Sequence, residues 1–252
     1  MKTINHIYQD ANAAPSEVFN ENVLKCLPTA PWIIPDREFE TRKDLRKTRV
    51  FSVDPPNTKD VDDCISVVEN PDGTFAVGVH IADVSHFVKA NTALDREARK
   101  RATTIHLVQR MVPMLPELLS EDLCSLLPNE DRLAFSVVFT LSREGNVIST
   151  WMGKTIVRSS ARLSYTDARD VIDGSSLRSG LAESQQLSES LSEDMHTLQG
   201  LAYKLRQKRV DNGSLRIESS KLAFTLDANG LPIDCSSYFG QGGVDFIEEV
   251  RL

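Results

Sequence analysis

Short apolar runs rich in β-branched residues, RVFSV (49–53) and CISVV (64–68), read as two strands. Asn70-Pro71-Asp72-Gly73 is a strong turn signal, and FAVGVHIADV (75–84) follows as a third, buried strand. The three form an antiparallel meander. LAFSVVFTL (133–141) and VISTWMGKTIV (147–157) flank SREGN as a long hairpin. SLRIESSKLAFTLD and GLPIDCSSYF form a last pair around Ala228-Asn229-Gly230.

Elsewhere the period is that of helices. Residues 92–103 read as a helix capped by Thr92 or Asn91, and Ser164 caps a short helix at 165–173. Leu187, Leu191, Met195, Leu198, Ala202 and Leu205 recur at steps of four and three, one apolar face of a long helix that Asp211-Asn212-Gly213 ends. VDFIEEVRL reads as the start of another helix. Residues 1–30 have weak periodicity and read as a linker with one short helix, and Pro28, Pro31 and Pro35 punctuate an extended stretch around Trp32. Residues 36–49 carry dense mixed charge. They suit a solvated face or, alternatively, a basic lip that touches phosphate. The fold class is α+β: a twisted, mixed or largely antiparallel sheet with helices packed on it.

Composition narrows this picture little. Of 252 residues, 40% are hydrophobic and 26% charged, as in ordinary globular chains. No run is long and apolar enough for a transmembrane helix, and the N-terminus lacks the apolar core of a secretory signal. Cys26, Cys64, Cys124 and Cys235 form no CxxC pair, which argues against a zinc knuckle or a disulfide framework and favours a reducing compartment. The net charge of −7 does not point to nucleic acid, but an acidic enzyme can hold RNA in a local basic groove.

The chemistry concentrates between the first two strands. Asp54, Asp60, Asp62 and Asp63 lie within ten residues in DPPNTKDVDD. Four carboxylates this close repel and raise one another's pKa unless a cation neutralises them. An all-oxygen donor set suits a hard divalent ion, Mg²⁺ before Mn²⁺. Such ions activate water and stabilise a leaving oxygen in phosphodiester hydrolysis. Lys59 adds a positive charge suited to a phosphate. An exposed acidic turn without ligand is the plain alternative. An EF-hand is excluded by the misplaced glycine and closing glutamate. His80 and His86, with Asp83 between them, suit satisfied core positions better than a metal site, and Cys124 suits a buried core thiol.

FSVDPPNTKDVDDCISV resembles the signature of the ribonuclease II (RNB) exonucleases. The likeness continues through VGVHIADVSHFV, VPMLPELLSEDLCSLLPNEDRLAFSVVFTL and LRIESSKLAFTLD. RATTIHLVQRMVPMLP and SKLAFTLD are most similar to the eukaryotic branch of cytoplasmic, exosome-independent enzymes that prefer uridylated tails. The resemblance implies a hydrolytic, Mg²⁺-dependent 3′→5′ exoribonuclease acting on single-stranded RNA in mRNA decay and releasing nucleoside 5′-monophosphates. It implies a cytoplasmic location, including P-bodies, with no membrane or DNA partner and no stable exosome association. Residues 1–35 would be a linker or N-terminal extension and 36–252 the front part of the catalytic domain.

By the same resemblance Asp54, Asp60 and Asp63 would hold metal, and Asp62 would be the carboxylate most needed for cleavage. Tyr165 matches a tyrosine near the 3′-terminal nucleotides, although it would also suit a core position. Phe224 is similar to a phenylalanine that stacks on the last base, although a strand phenylalanine is commonly core. Glu248 or Glu249 matches a glutamate near the terminal sugar. His106 stands where the family has a base-clamping tyrosine, which leaves the length of the end product open. The family's second half, with an arginine-bearing segment near the active site, and its RNA-binding S1 barrel have no counterpart in these residues. The alternative expectation is therefore an inactive, RNA-binding or regulatory fragment. An unrelated phosphodiesterase sharing only the acidic loop would leave the other colinear segments unexplained.

Overall fold

The structure is a computed structural model, and it describes residues 18–56, 58–106, 111–178, 180–215, 220–227 and 232–239. Along the chain run α1 (Glu21–Leu24), α2 (Asp36–Thr41), β1 (Lys43–Asp44), β2 (Val50–Asp54), β3 (Asp63–Glu69) and β4 (Phe75–Ala82). There follow α3 (Val84–Phe87), α4 (Ala93–Arg101), β5 (Ile105–His106), β6 (Met111–Val112) and a π-helical turn at Leu118–Leu123. The chain continues through β7 (Asp131–Leu141), β8 (Val147–Ser164), α5 (Tyr165–Ile172), α6 (Gln185–Asp211), β9 (Ser220–Leu226) and β10 (Pro232–Phe239).

The elements group into two compact units, one drawn from Met1–Trp32, Val84–Ser120 and Glu218–Gly240, the other mainly from Ile33–Asp83 and Glu121–Ile217. In the smaller unit α4 is capped by the Thr92 hydroxyl, which accepts from Asp95 N. The smaller unit also holds the β5–β6 and β9–β10 antiparallel pairs. The last helix expected, in VDFIEEVRL, lies outside the described residues.

The larger unit is a six-stranded sheet in the order β1-β8-β2-β3-β4-β7. β2–β3, β3–β4, β4–β7 and β7–β8 are antiparallel, whereas β8 runs parallel to β1 and β2. The 18-residue β8 serves both edges. Its first part pairs with β7, from Val147↔Leu141 to Arg158↔Asp131, and its last part pairs with β2, from Ser159↔Val50 to Ser164↔Asp54. Five strands therefore close into a ring. The hairpin strand expected to end at 157 runs seven residues further because this second partner satisfies its backbone.

The faces follow from the period of two. Phe51, Val53, Ile65, Val67, Val77, Ala161 and Leu163 form one buried apolar layer with Ala168 and Val171 of α5 and Leu191, Met195, Leu198, Leu201 and Ala202 of α6. Full burial of each large side chain stabilises by about 1.5–3 kcal/mol. Leu187 and Leu205, the outer residues of the predicted helical face, pack against its margin. Asp194 is buried on the same helix, where its carboxylate takes two bonds from Arg49, at 2.5 and 2.8 Å. Burial pushes this carboxyl up even against the guanidinium.

Two local expectations change. The strand read as 75–84 ends at Ala82, because Asp83 turns into a buried ion pair before α3 begins. The charged run 36–49 is more than a solvated face. Arg42 is only 5% exposed and donates to Glu38 (2.6 Å), Asp83 (2.7 Å) and Ala134 O (3.3 Å).

Candidate functional site: the acidic loop at the end of the ring

Asp54 is the last residue of β2, 5% exposed, and lies opposite Ser164 of β8. Asp63 is the first residue of β3, opposite Ile81. The loop between them is pinned along its length. Ser125 Oγ accepts from Val61 N (2.9 Å) and donates to Lys59 O (2.6 Å), while Leu126 N donates to Val61 O (2.9 Å). Ala82 N donates to Asp62 O at 3.0 Å. Val61 is fully buried, so it anchors a turn whose acidic neighbours Asp60 and Asp62 remain accessible.

Two thiols sense these charges. Burial pushes the Cys64 thiol up, the Ser159 hydrogen bond opposes this, and the nearby Asp63 and Asp54 carboxylates push it further. The Cys124 thiol is pushed up to about 12 by burial and then by Asp62 and Asp83. Both cysteines are core thiols at 1% and 3% exposure, as expected of Cys124. They are inert packing groups rather than nucleophiles.

Tyr165 is joined to this end of the ring. It follows Ser164, the partner of Asp54, and opens α5, where Ser164 and Asp167 form a reciprocal capping box. Its ring packs partly against the apolar layer. The structure thus gathers Asp54, Asp60, Asp62, Asp63 and Tyr165 in the larger unit. His106 (β5, opposite Met111) and Phe224 (β9, opposite Cys235) belong to the smaller unit. Glu248 and Glu249 lie outside the described residues.

The cations divide in a way that sequence did not indicate. Lys59 forms an ion pair with Glu121 at 3.0 Å. Arg162 instead reaches the loop, donating from Nη1 to Thr58 O at 2.6 Å. Its approach depends on the β2–β8 register, which sets Arg162 opposite Ser52, and no local motif announces it.

His80 is 1% exposed inside the ring. It bonds Ser66 Oγ (2.9 Å) through Nε2 and Ser136 Oγ (2.7 Å) through Nδ1, and Ser136 continues to Thr155 Oγ1 (2.6 Å). Asp83 is taken by Arg42 and Lys154. His86 makes edge contacts with Trp32 and Phe87. These partners support a core role for His80, whereas His86 is half-buried on α3 and is not a core residue.

The donors around the acidic loop are all carboxylate oxygens, which fits Mg²⁺ and disfavours zinc or copper. Among the described residues no group of three or more His, Cys, Asp or Glu is arranged to hold a metal ion. The fit is therefore one of donor chemistry, without a preformed cage.

Comparison with known proteins gives the scaffold its place. The model of the RNB domain matches residues 42–250. The chain belongs to the RNB domain family. It is 44% identical over 253 residues to DIS3-like exonuclease 2 of Arabidopsis thaliana, covering 98% of this chain and 24% of that protein. It is also 42% identical over 245 residues to DIS3-like exonuclease 2 of Schizosaccharomyces pombe, covering 96% and 26%. A second Arabidopsis thaliana protein, called an inactive exonuclease DIS3L2, matches at the same 44% over 98% of this chain and 24% of its own length. The chain thus spans about a quarter of the length of these relatives. The RNB fold is seen in Mycoplasma genitalium RNase R in complex with ribose-methylated single-stranded RNA. That structure matches with a TM-score of 0.84 at 24% identity, over 98% of this chain and 37% of the other. Among the described residues no helix is long and apolar enough to cross a membrane.

Proposed function

We propose that this chain carries the acidic half-site of a hydrolytic, metal-dependent 3′→5′ exoribonuclease that degrades single-stranded, uridylated RNA to nucleoside 5′-monophosphates. The observation that carries the reading is the placement of the four aspartates, in an RNB scaffold, on one pinned loop at the mouth of the ring. Relatives named exonucleases and the likeness of the fold to an RNase R in complex with RNA support it.

In this reading Asp54, Asp60 and Asp63 hold Mg²⁺, with Mn²⁺ as a substitute, and Asp62 orients the attacking water. The metal would supply Lewis acidity to the scissile phosphate and lower the pKa of that water. The chain's own residues do the positioning. β2 and β3 fix Asp54 and Asp63 at strand ends, and Val61, held by Ser125 and Leu126, sets the spacing of Asp60 and Asp62. Tyr165, held by the capping box of α5, would lie against the 3′-terminal ribose. His106 and Phe224 would contact bases, and Glu248 or Glu249 the terminal sugar. The protein would act in cytoplasmic mRNA decay, with RNA as its partner and no stable exosome association.

A second reading is an RNA-binding member without turnover. It is favoured by the absence of a closed carboxylate group among the described residues and by the similarity to a relative named inactive. The deciding experiment follows 5′-labelled single-stranded RNA with a uridine-rich 3′ tail in the presence of the wild-type chain or Asp62→Asn, with Mg²⁺ or EDTA. A ladder shortening from the 3′ end and abolished by the mutation and by EDTA is expected. Intact RNA bound to folded wild-type protein would establish the second reading.

A further inference from the structure

We propose that Arg162 is a phosphate-contacting residue, the cation that draws the RNA backbone to the aspartate loop; the inference rests on the exoribonuclease reading and adds a residue to it. The alternation of β8 places it. Ala161 and Leu163 enter the apolar layer under α5 and α6, so Arg162 and Ser164 turn to the opposite face. Their partners there are Ser52 and Asp54 of β2. Arg162 and Asp54 are therefore diagonal neighbours across two paired strands, a spacing that long side chains span.

The partners of Arg162 are equally telling. Neighbouring cations are committed to carboxylates: Lys59 to Glu121, Arg132 to Asp122 and Arg158 to Asp131. Arg162 is exposed and forms no ion pair with a carboxylate among the described residues. Among the described residues its partner is the Thr58 carbonyl inside the acidic loop, at 2.6 Å. A guanidinium carries five N–H donors, and this bond uses one of them. The rest form a planar fork beside the aspartates, a geometry that matches two oxygens of a phosphate. A polyanion approaching four carboxylates meets repulsion, and a fixed cation at the rim offsets it where the substrate must enter.

The test measures binding of fluorescein-labelled oligouridylate by anisotropy over a salt series. It uses the full chain with Mg²⁺ in an Asp62→Asn background, so that the RNA is not consumed. Arg162→Gln keeps an amide donor for the Thr58 carbonyl and loses the charge, whereas Arg162→Lys keeps both a donor and the charge. The expected result is about fivefold weaker binding for the Gln variant at low salt, with the slope of log affinity against log salt reduced by about 0.7. The Lys variant should retain the parent slope. A Gln variant with parental affinity and slope would overturn the inference while the exoribonuclease reading stands. Equal weakening of both variants with an unchanged slope would also overturn it, because it would mean support of the loop alone. A parent that does not bind oligouridylate would overturn the exoribonuclease reading, and this inference with it.

Discussion

The ring holds two polar clusters of opposite character. Inside it, His80, Ser66, Ser136 and Thr155 form a buried chain of hydrogen bonds that crosses four strands. At its mouth, Asp54, Asp60, Asp62 and Asp63 crowd like charges on one loop without forming a group that holds a metal by itself. The inner cluster satisfies itself, so it serves the fold. The outer one has its backbone pinned and its like charges gathered at one end of the strands, and that contrast singles the loop out as the candidate functional end.

The largest effect expected on this contrast is in the loop. Asp62→Asn should reduce RNA degradation about a thousandfold, in the range of lost transition-state stabilisation, with little change in the denaturation midpoint. Initial rates and urea melts on the same preparation would check this. A parallel loss of stability would break the distinction.

In the ring the signs reverse. His80→Ala should cost about 3–4 kcal/mol in urea denaturation, through a cavity and two abandoned serine hydroxyls. Acid should reach the same group. Burial holds the His80 imidazole down at about 4, so the folded state keeps it neutral. Its folded value lies below the unfolded value near 6.5. The contribution is therefore complete above about 6.5 and is lost as pH falls toward 4, on the order of 3 kcal/mol in all. Urea midpoints measured across that window should fall in the wild type and flatten in His80→Ala.

Gly78 sharpens the point. A Cβ there would stand 2.5 Å from Ser66 Oγ and 2.7 Å from His80 Nε2, so Gly78→Ala should cost about 2 kcal/mol by calorimetry. The smallest effect returns to the loop. Saturating Mg²⁺ should raise stability by about 1–3 kcal/mol by ligand linkage, and Asp63→Asn should remove that gain.

Much of this is legible in the sequence alone. Short runs rich in β-branched and aromatic residues mark β2, β3, β4 and β7, and the 4–3 repeat marks α6. These signals are local and survive without knowledge of partners. The aspartates stood out because like charges rarely crowd between apolar strands without cause. Closure of the ring was illegible, because nothing in VISTWMGKTIVRSSARLS announces that one end will pair with β7 and the other, in parallel, with β2. Arg162 was missed for the same reason, since its place beside the loop exists only after that pairing. Arg42 was hidden among charges whose ordinary fate is solvent, and its partner Asp83 lies in a segment that read as strand.

The double service of β8 has a consequence in time. Ser164, the partner of Asp54, follows it by roughly 110 residues. At ribosomal rates of about 5–20 residues per second, the aspartate loop waits on the order of ten seconds before the strand that fixes its first carboxylate has been made. During that interval the chain carries four clustered negative charges on an open meander. The apolar layer waits longer still, because Leu191, Met195, Leu198, Leu201 and Ala202 of α6 are made after Ser164, so synthesis sets the clock for site and core alike.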